Sequence, residues 1–281
     1  MSDCYGAIGY PLGHTVSPAF QQAAFDELGI DATYMAIETP TSDLSRRMSE
    51  VRNGRWAGLN VTIPHKSAIP RFLDGTAETA AAAGAVNTIY WRNGRLLGEN
   101  TDVPAIGTVL ENAEVKKGIR ALVVGAGGAA RAALLSLTAR SDDVVIANRT
   151  RSNAEATINA VTPEQEIEIL DLNSPSIGKV ATECELIVNT TSVGMSGGPA
   201  PDESPLPTSA LRLGQVVFDV VYRPEVTPLL AQAAEAGCRT IGGLEMLVIQ
   251  GALSFELWTG KPAPLDTMMR AARTALATDS G

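Results

Sequence analysis

The chain has 281 residues, 45% of them hydrophobic, with 26 glycines and 16 prolines, a composition that fits one large or, more readily, two ordinary globular domains. A formal net charge of -9 argues against nucleic-acid or anionic-membrane partners, which call for basic patches. No window supplies the roughly 18 uninterrupted apolar residues of a membrane helix, so the composition is that of a soluble protein without a membrane partner.

The start, MSDCYGAIGYPLG, shows no basic leader followed by an apolar stretch, and a cytoplasmic location is expected. Cys4, Cys184 and Cys238 are odd in number, far apart and without C-x-x-C spacing, which reads as idle thiols rather than a disulfide framework or zinc site. The apolar runs YGAIG (5–9), TYMAIE (33–38), GLNVTI (58–63) and VNTIYW (86–91) alternate with helix-like stretches, so an α/β fold with a mostly parallel sheet is expected. In SPAFQQAAFDELG (17–29), Ser17 reads as the N-cap, Pro18 as the first helical residue and Gly29 as the left-handed C-terminal turn. The uncharged run LNVTIPHKSA (59–68) is broken by Pro64 and delivers one ammonium, Lys66, with no acid inside the stretch to receive it.

From residue 119 the strand and helix rhythm restarts more strictly. An apolar strand (121–124) runs into Gly125-Ala126-Gly127-Gly128-Ala129-Ala130 and an alanine-rich helix, and a second strand follows at 143–147. This is G-x-G-x-x-A in the context of a dinucleotide site: the first glycine permits the tight turn, Gly127 lets the backbone approach a pyrophosphate, and Ala130 lets the helix pack close to the strand. The alternative is a tight turn with no ligand. An NAD enzyme usually places an acid at the tip of the second strand to bond the ribose 2′-hydroxyl, whereas this chain has Asn148-Arg149-Thr150-Arg151. Guanidinium groups suit a 2′-phosphate, so NADP is favoured as cofactor, with Arg151 also readable as a solvated surface charge. The runs CELIVNTTSVGM (184–195), QVVFDVVYRP (215–224) and CRTIGG (238–243) continue the parallel sheet. Strand ends are where such sheets hold ligands, which makes Thr190, Ser192, Val220, Tyr222 and Gly243 candidates for the nicotinamide side.

A reduced nicotinamide needs a carbonyl substrate and a group that donates a proton as hydride arrives. Lys66 is the leading candidate for that group. GENTD (98–102) offers Asp102 as the carboxylate that would orient it. Both residues also have plainer readings, because Asp102 with Pro104 looks like a helix start and a lysine is by default a surface residue. His14 and His65 flank two of these stretches without metal-ligand spacing, so they read as structural neighbours and no metal is expected.

In order along the chain, YGAIGYPLGHTVSP, NVTIPHK, GAVNTI, GENTD, GAGGAAR, NRT, NTTSVGM, DVVYRP and QGALSFELWTG resemble the shikimate dehydrogenase family. The resemblance implies reversible reduction of 3-dehydroshikimate to shikimate with NADPH, in the chorismate pathway to the aromatic amino acids. It further implies a substrate domain over 1–102 completed by 242–281, and a Rossmann NADP domain over 103–241. By the same resemblance Lys66 and Asp102 are the catalytic pair. Thr15, Ser17, Thr62, Asn87, Tyr222 and Gln250 would hold the small-molecule substrate's carboxylate and hydroxyls. The cofactor would lie on Gly125, Ala126, Gly127, Gly128, Ala129, Asn148, Arg149, Thr150, Arg151, Thr190, Ser192, Val220 and Gly243, in a monomer or homodimer. One departure stands out: the family's S-x-S carboxylate clamp has threonine first here, Thr15 beside Ser17, and its methyl stiffens the rotamer and narrows the pocket. Two alternatives stay open, a quinate/shikimate dehydrogenase of broader substrate or cofactor use and a catalytically silent NADP-binding sensor, of which the presence of both Lys66 and Asp102 favours an enzyme.

Overall fold

A computed structural model describes residues 2–13, 15–140, 142–162 and 164–278. In chain order the elements are β1 (Asp3–Gly9), α1 (Ser17–Glu27), β2 (Ala32–Glu38), α2 (Leu44–Arg52), β3 (Gly58–Val61), β4 (Gly75–Thr76), α3 (Glu78–Ala83), β5 (Thr88–Arg92), β6 (Arg95–Glu99) and α4 (Asp102–Asn112). There follow β7 (Arg120–Val124), α5 (Gly128–Ala139), β8 (Asp143–Asn148), α6 (Arg151–Val161), β9 (Glu168–Asp171), α7 (Ile177–Glu183), β10 (Leu186–Asn189), β11 (Val216–Asp219), α8 (Pro228–Glu235) and β12 (Arg239–Ile241). The chain ends with α9 (Gly243–Thr259) and α10 (Leu265–Thr278). Two compact units result, one of Met1–Ala105 with Val248–Gly281 and one of Ile106–Leu247. The divisions fall inside α4 and α9.

The first unit is built on a six-stranded sheet of order β2-β1-β3-β5-β6-β4. β1 lies parallel to both β2 and β3, with Tyr5 opposite Tyr34 on one side and Gly58 on the other. The run at 86–91 departs from the expected parallel alternation: β5 is antiparallel to β3 and to β6. Its hairpin turns at Asn93 and Gly94, with φ of 53° and 72°. That pair of left-handed residues is what an Asn-Gly hairpin turn requires, so WRNGRL carries a signal for the hairpin that the apolar run before it masks. Ser17 also differs from expectation. It is the first residue of α1, not its cap, and no side chain caps the helix in the usual way. Instead Thr15 Oγ1 accepts the Ser17 N–H at 3.3 Å, a turn made from two residues upstream, and donates to the Ser17 hydroxyl at 3.2 Å. Gly29 takes the left-handed conformation, φ 61°, as its place after the helix demands.

One face of this sheet packs Ile8, Leu59, Val61 and Ile89 against Leu44, Met48 and Val51 of α2. On Tyr5, which points the other way along β1, an aromatic group assembles with Phe25 and Trp258, both ring pairs at 5.0 Å, and Phe255 joins Phe25 at 5.2 Å. Such ring pairs add about 0.5–1.5 kcal/mol beyond the area they bury. Two glycines let α9 come close. A Cβ on Gly58 would stand 2.3 Å from Trp258 Nε1, and one on Gly251 would stand 2.5 Å from Phe20 Cε2. Trp258 Nε1 donates to the Ile89 carbonyl at 2.9 Å, which locks the helix to β5. Gln250 and Ser254, four residues apart on α9, are thereby carried to the ends of β3 and β5.

The second unit has six parallel strands in the order β12-β11-β10-β7-β8-β9. Counted from its own first strand this is the 3-2-1-4-5-6 order of dinucleotide-binding folds, whose reversal lies beside β7. Its central strands β7, β8, β10 and β11 are largely apolar and buried, as strands covered on both faces are, while the edge strands β9 and β12 are more exposed. Leu122, Val124, Val145, Ile187 and Val217 pack with Leu206, Leu229 and Leu230 in one continuous core.

Candidate active site

β3 ends at Val61, so Thr62 stands just past the strand and Lys66 lies in the turn beyond it. The turn is fixed at several points. The His65 N–H donates to Thr62 O at 2.9 Å, the Val86 N–H donates to Lys66 O at 2.8 Å, and the buried His65 ring places Nε2 2.6 Å from Thr39 O. His65 is therefore structural; His14 lies outside the described residues. With its backbone held, Lys66 extends an ammonium to Asp102, Nζ to Oδ2 2.6 Å, through a side chain that keeps 24% of its exposure. The acid that the sequence stretch lacked comes from 36 residues downstream.

Asp102 is the first residue of α4, where the helix dipole favours negative charge. GENTD supplies both a helix start and a carboxylate that faces Lys66, from different residues. Asn100 Oδ1 accepts the N–H groups of Asp102 and Val103 at 3.1 and 3.4 Å and so caps the helix, which frees the Asp102 carboxylate to face Lys66. The other carboxylate oxygen, Oδ1, accepts from Asn87 Nδ2 at 2.9 Å. The orientation of that amide is not arbitrary. Asn87 Oδ1 lies 2.8 Å from the Thr101 peptide N–H, which can only donate, so the oxygen must face Thr101 and the nitrogen must face Asp102. Asn87 Nδ2 also approaches Gln250 Oε1 at 3.4 Å. Both carboxylate oxygens are thus engaged, and the Lys66 ammonium retains N–H groups with no other protein partner among the described residues.

Of the expected substrate groups, hydrogen bonds join Asn87 and Gln250 to the pair. Thr15 and Ser17 form a second cluster at the start of α1, hydroxyl to hydroxyl 3.2 Å. Thr62 is half-buried, with its methyl against Gly9, where a Cβ would stand 2.4 Å from Cγ2, and its hydroxyl without a partner among the described residues. Tyr222 belongs to the second unit, on the loop after β11, where burial pushes its phenol up and keeps it a neutral donor.

In the second unit the glycine turn divides into two kinds of position. Gly125 has φ 109°, and a Cβ there would stand 2.6 Å from Thr190 Oγ1, itself donating to Val124 O at 2.7 Å. Glycine at 125 is demanded by the fold. At Gly127 and Gly128 an added Cβ would meet nothing within 4 Å, and both residues are exposed at the open N-terminus of α5. The protein itself gives no packing reason for glycine there. Close approach of a pyrophosphate to unpaired amides does, so the residues fit the cofactor. Ala126 and Ala129 flank them half-buried, and Ala130 is fully buried against the sheet.

At the tip of β8, Asn148 Nδ2 closes the turn on Thr150 O at 2.9 Å. Arg149 is exposed and has no hydrogen-bond or ion-pair partner among the described residues. Arg151 is occupied by Glu155 at 2.9 Å, one turn along α6, so of the two guanidiniums Arg149 is the one free to meet a phosphate. Ser192 is exposed on the loop after β10. Gly243 has a structural reason that its place at a strand end did not disclose: a Cβ there would stand 2.3 Å from Val220 O, so only glycine lets α9 begin against that backbone.

Asp219, at the end of β11, opens the stretch DVVYRP and is a functional candidate to which the sequence alone assigns no role. It is fully buried and accepts from Asn189 Nδ2, the Val221 N–H and Thr227 Oγ1 at 2.9, 3.0 and 2.7 Å. Burial pushes its carboxyl up to about 6. Its signal is an acid closing an apolar strand, which reads equally well as a surface turn. Thr88, Thr101, Asn60 and Ser254 likewise fall within GAVNTI, GENTD, NVTIPHK and QGALSFELWTG without a role of their own, because nothing in the sequence shows that these stretches meet. All three cysteines are free. Among the described residues no group of three or more His, Cys, Asp or Glu could hold a metal ion, and no helix is long and apolar enough to cross a membrane.

Three family models match the chain: "Shikimate dehydrogenase substrate binding domain" over residues 7–89, "Shikimate / quinate 5-dehydrogenase" over 109–196 and "Shikimate 5'-dehydrogenase C-terminal domain" over 243–273. A shikimate dehydrogenase (NADP(+)) of Thermococcus kodakarensis is 41% identical, covering 95% of this chain and 94% of its own. That of Symbiobacterium thermophilum is 42% identical, over 96% and 94%. Among solved structures, shikimate 5-dehydrogenase from Thermus thermophilus in complex with NADP(H) and shikimate superposes with a TM-score of 0.88 at 37% identity, over 98% of this chain and 100% of its own.

Proposed function

The chain belongs to the shikimate dehydrogenase family, and on that premise we propose that it catalyses the reversible NADPH-dependent reduction of 3-dehydroshikimate to shikimate. The observation that carries this reading is the Lys66–Asp102 pair at 2.6 Å, braced by Asn87. When bound, the cofactor supplies the hydride. Lys66 Nζ gives a proton to the oxygen of the C3 carbonyl as that carbon is reduced, and in the oxidative direction takes it back. Asp102 holds the ammonium at one orientation, and Asn87 holds Asp102. The hydroxyls of Thr15, Ser17 and Thr62, the amides of Asn87 and Gln250 and, by family resemblance, the Tyr222 phenol fix the substrate's carboxylate and hydroxyls. A site that bonds several hydroxyls rejects analogues lacking them, because its own polar groups would be left unpaired.

NADP is held by the peptide N–H groups at Gly127 and Gly128, while the Arg149 guanidinium answers the 2′-phosphate that NAD lacks. The absence of an acid after β8 removes the group that would repel that phosphate. The enzyme works in the cytoplasm on a small-molecule substrate, as a monomer or homodimer. Nicotinamide absorbance in mixtures of the protein with shikimate or quinate and NADP or NAD tests the proposal. The highest kcat/KM is expected for shikimate with NADP. A preference for quinate with NAD would replace the substrate and cofactor assignments together, and absence of any turnover would leave a binding protein.

A further inference from the structure

Behind Asn87 the first unit buries a set of hydroxyls and amides that the proton-transfer pair does not touch. Ser254, on α9, and Thr88, on β5, are both fully buried. Ser254 Oγ stands 2.7 Å from Thr88 Oγ1, 2.8 Å from Asn60 Nδ2 and 2.9 Å from the Gln250 carbonyl oxygen. Thr88 Oγ1 in turn stands 3.1 Å from Asn87 Oδ1. The set is closed on its far side by Tyr34, whose hydroxyl donates to Asn60 Oδ1 at 2.8 Å.

The directions of the Asn60 bonds are fixed by a group with only one role, whereas either hydroxyl of the Ser254–Thr88 pair can be the donor. Asn60 Nδ2 lies 3.3 Å from the Asn87 carbonyl oxygen, which can only accept, so the Asn60 amide must turn its nitrogen inward and its oxygen to Tyr34. Its inward N–H groups then reach Ser254 and Thr88 as donors. One serine hydroxyl therefore joins β3 through Asn60, β5 through Thr88 and α9 through Gln250. From there two short paths lead to the pair: Thr88 to the Asn87 amide that holds Asp102, and one helical turn back to Gln250 beside that amide.

Stability alone does not call for hydroxyls at these places. Alanine is the better helix former at a buried interior position of α9, valine is close to isosteric with threonine on a central strand, and removing a whole set of buried polar partners in favour of apolar ones is often neutral. We propose that Ser254 and Thr88 are positioning residues, which act through Asn87 and Gln250 to hold Asp102, and with it the Lys66 ammonium, in the productive orientation. The inference rests on the assignment of Lys66 and Asp102 as the proton-transfer pair.

Its test is steady-state kinetics with shikimate and NADP on Ser254→Ala, Thr88→Val, Thr88→Ser and the double variant Ser254→Ala/Thr88→Val, with Lys66→Ala alongside and thermal unfolding of each. Small misplacements at a reacting centre are costly, so each hydroxyl deletion is expected to lower kcat by about tenfold or more, with the KM for NADP within about twofold. The double variant is expected to lose no more than the worse single one, since the two act as one unit. Thr88→Ser, which keeps the hydroxyl, is expected to stay within about threefold of the parent. Unchanged kcat with a lowered Tm in the deletions, or losses that multiply in the double variant, would overturn the positioning role. Wild-type turnover in Lys66→Ala would overturn the underlying pair instead, which separates the two failures. Because alanine suits a helix, Ser254→Ala carries the test if Thr88→Val folds poorly.

Discussion

Lys66 shows what a residue can and cannot disclose in sequence. That it was unusual was legible, as an ammonium at the end of an uncharged run. Its partner was not, because a contact across 36 residues exists only once β3, β5 and α4 are assembled. Asp102 became a candidate through GENTD, yet the division of labour between Asn100 as cap and Asp102 as counterion is purely structural. Arg149 is the converse case, a residue whose value lies in having no partner among the described residues. Arg149→Ala is therefore expected to raise the KM for NADP by about tenfold or more, the scale of a lost charge-assisted bond, and to leave the KM for NAD nearly unchanged. Equal losses with both cofactors would remove Arg149 from the 2′-phosphate.

At the scale of elements, the glycine turn between β7 and α5 separates fold from function within four residues. Gly125 needs its left-handed backbone and has Thr190 against it, whereas Gly127 has open space. Gly125→Ala is expected to destabilise the protein by about 1–3 kcal/mol through strain. Gly127→Ala should leave the midpoint of thermal unfolding within a degree or two while weakening NADP binding, because only the ligand needs the missing Cβ. Unfolding scans and a cofactor titration of both variants check this, and a Gly127→Ala protein as unstable as Gly125→Ala would contradict it. The central strands of the second unit, β7, β8, β10 and β11, were legible because they are buried and apolar along most of their length, whereas the edge strand β9, exposed and charged at both ends, was not. The first sheet was less legible: the β5–β6 hairpin hid behind an apolar run that looks like one more parallel strand, and the signal for it in Asn93-Gly94 went unread. Ser17 stands one position inside the helix it was expected to cap, with Val16 ahead of it and no side-chain cap.

For the whole molecule, the return of α9 and α10 to the first unit came from family resemblance, for nothing in their composition says which sheet they cover. The buried carboxyl of Asp219 gives the molecule a pH dependence. Its folded value of about 6 lies above the ordinary 3.8, so its contribution to stability is full below about pH 4 and is lost as pH rises through about 6. The shift corresponds to about 3 kcal/mol as an upper scale. In Asp219→Asn the remaining oxygen can still accept from Val221 and Asn189, and the new amide can donate to Thr227 Oγ1. That variant is expected to equal the wild type near pH 4 in chemical denaturation and to exceed it above pH 6; a difference independent of pH would contradict the assignment. The central claim is that this protein transfers a proton through Lys66 while reducing a nicotinamide cofactor, and one comparison tests it most directly: kcat for shikimate with NADP in wild type and in Lys66→Ala. The account predicts a fall of about 10²- to 10⁴-fold with the KM for NADP unchanged. Turnover within a few-fold of wild type in that variant would contradict it.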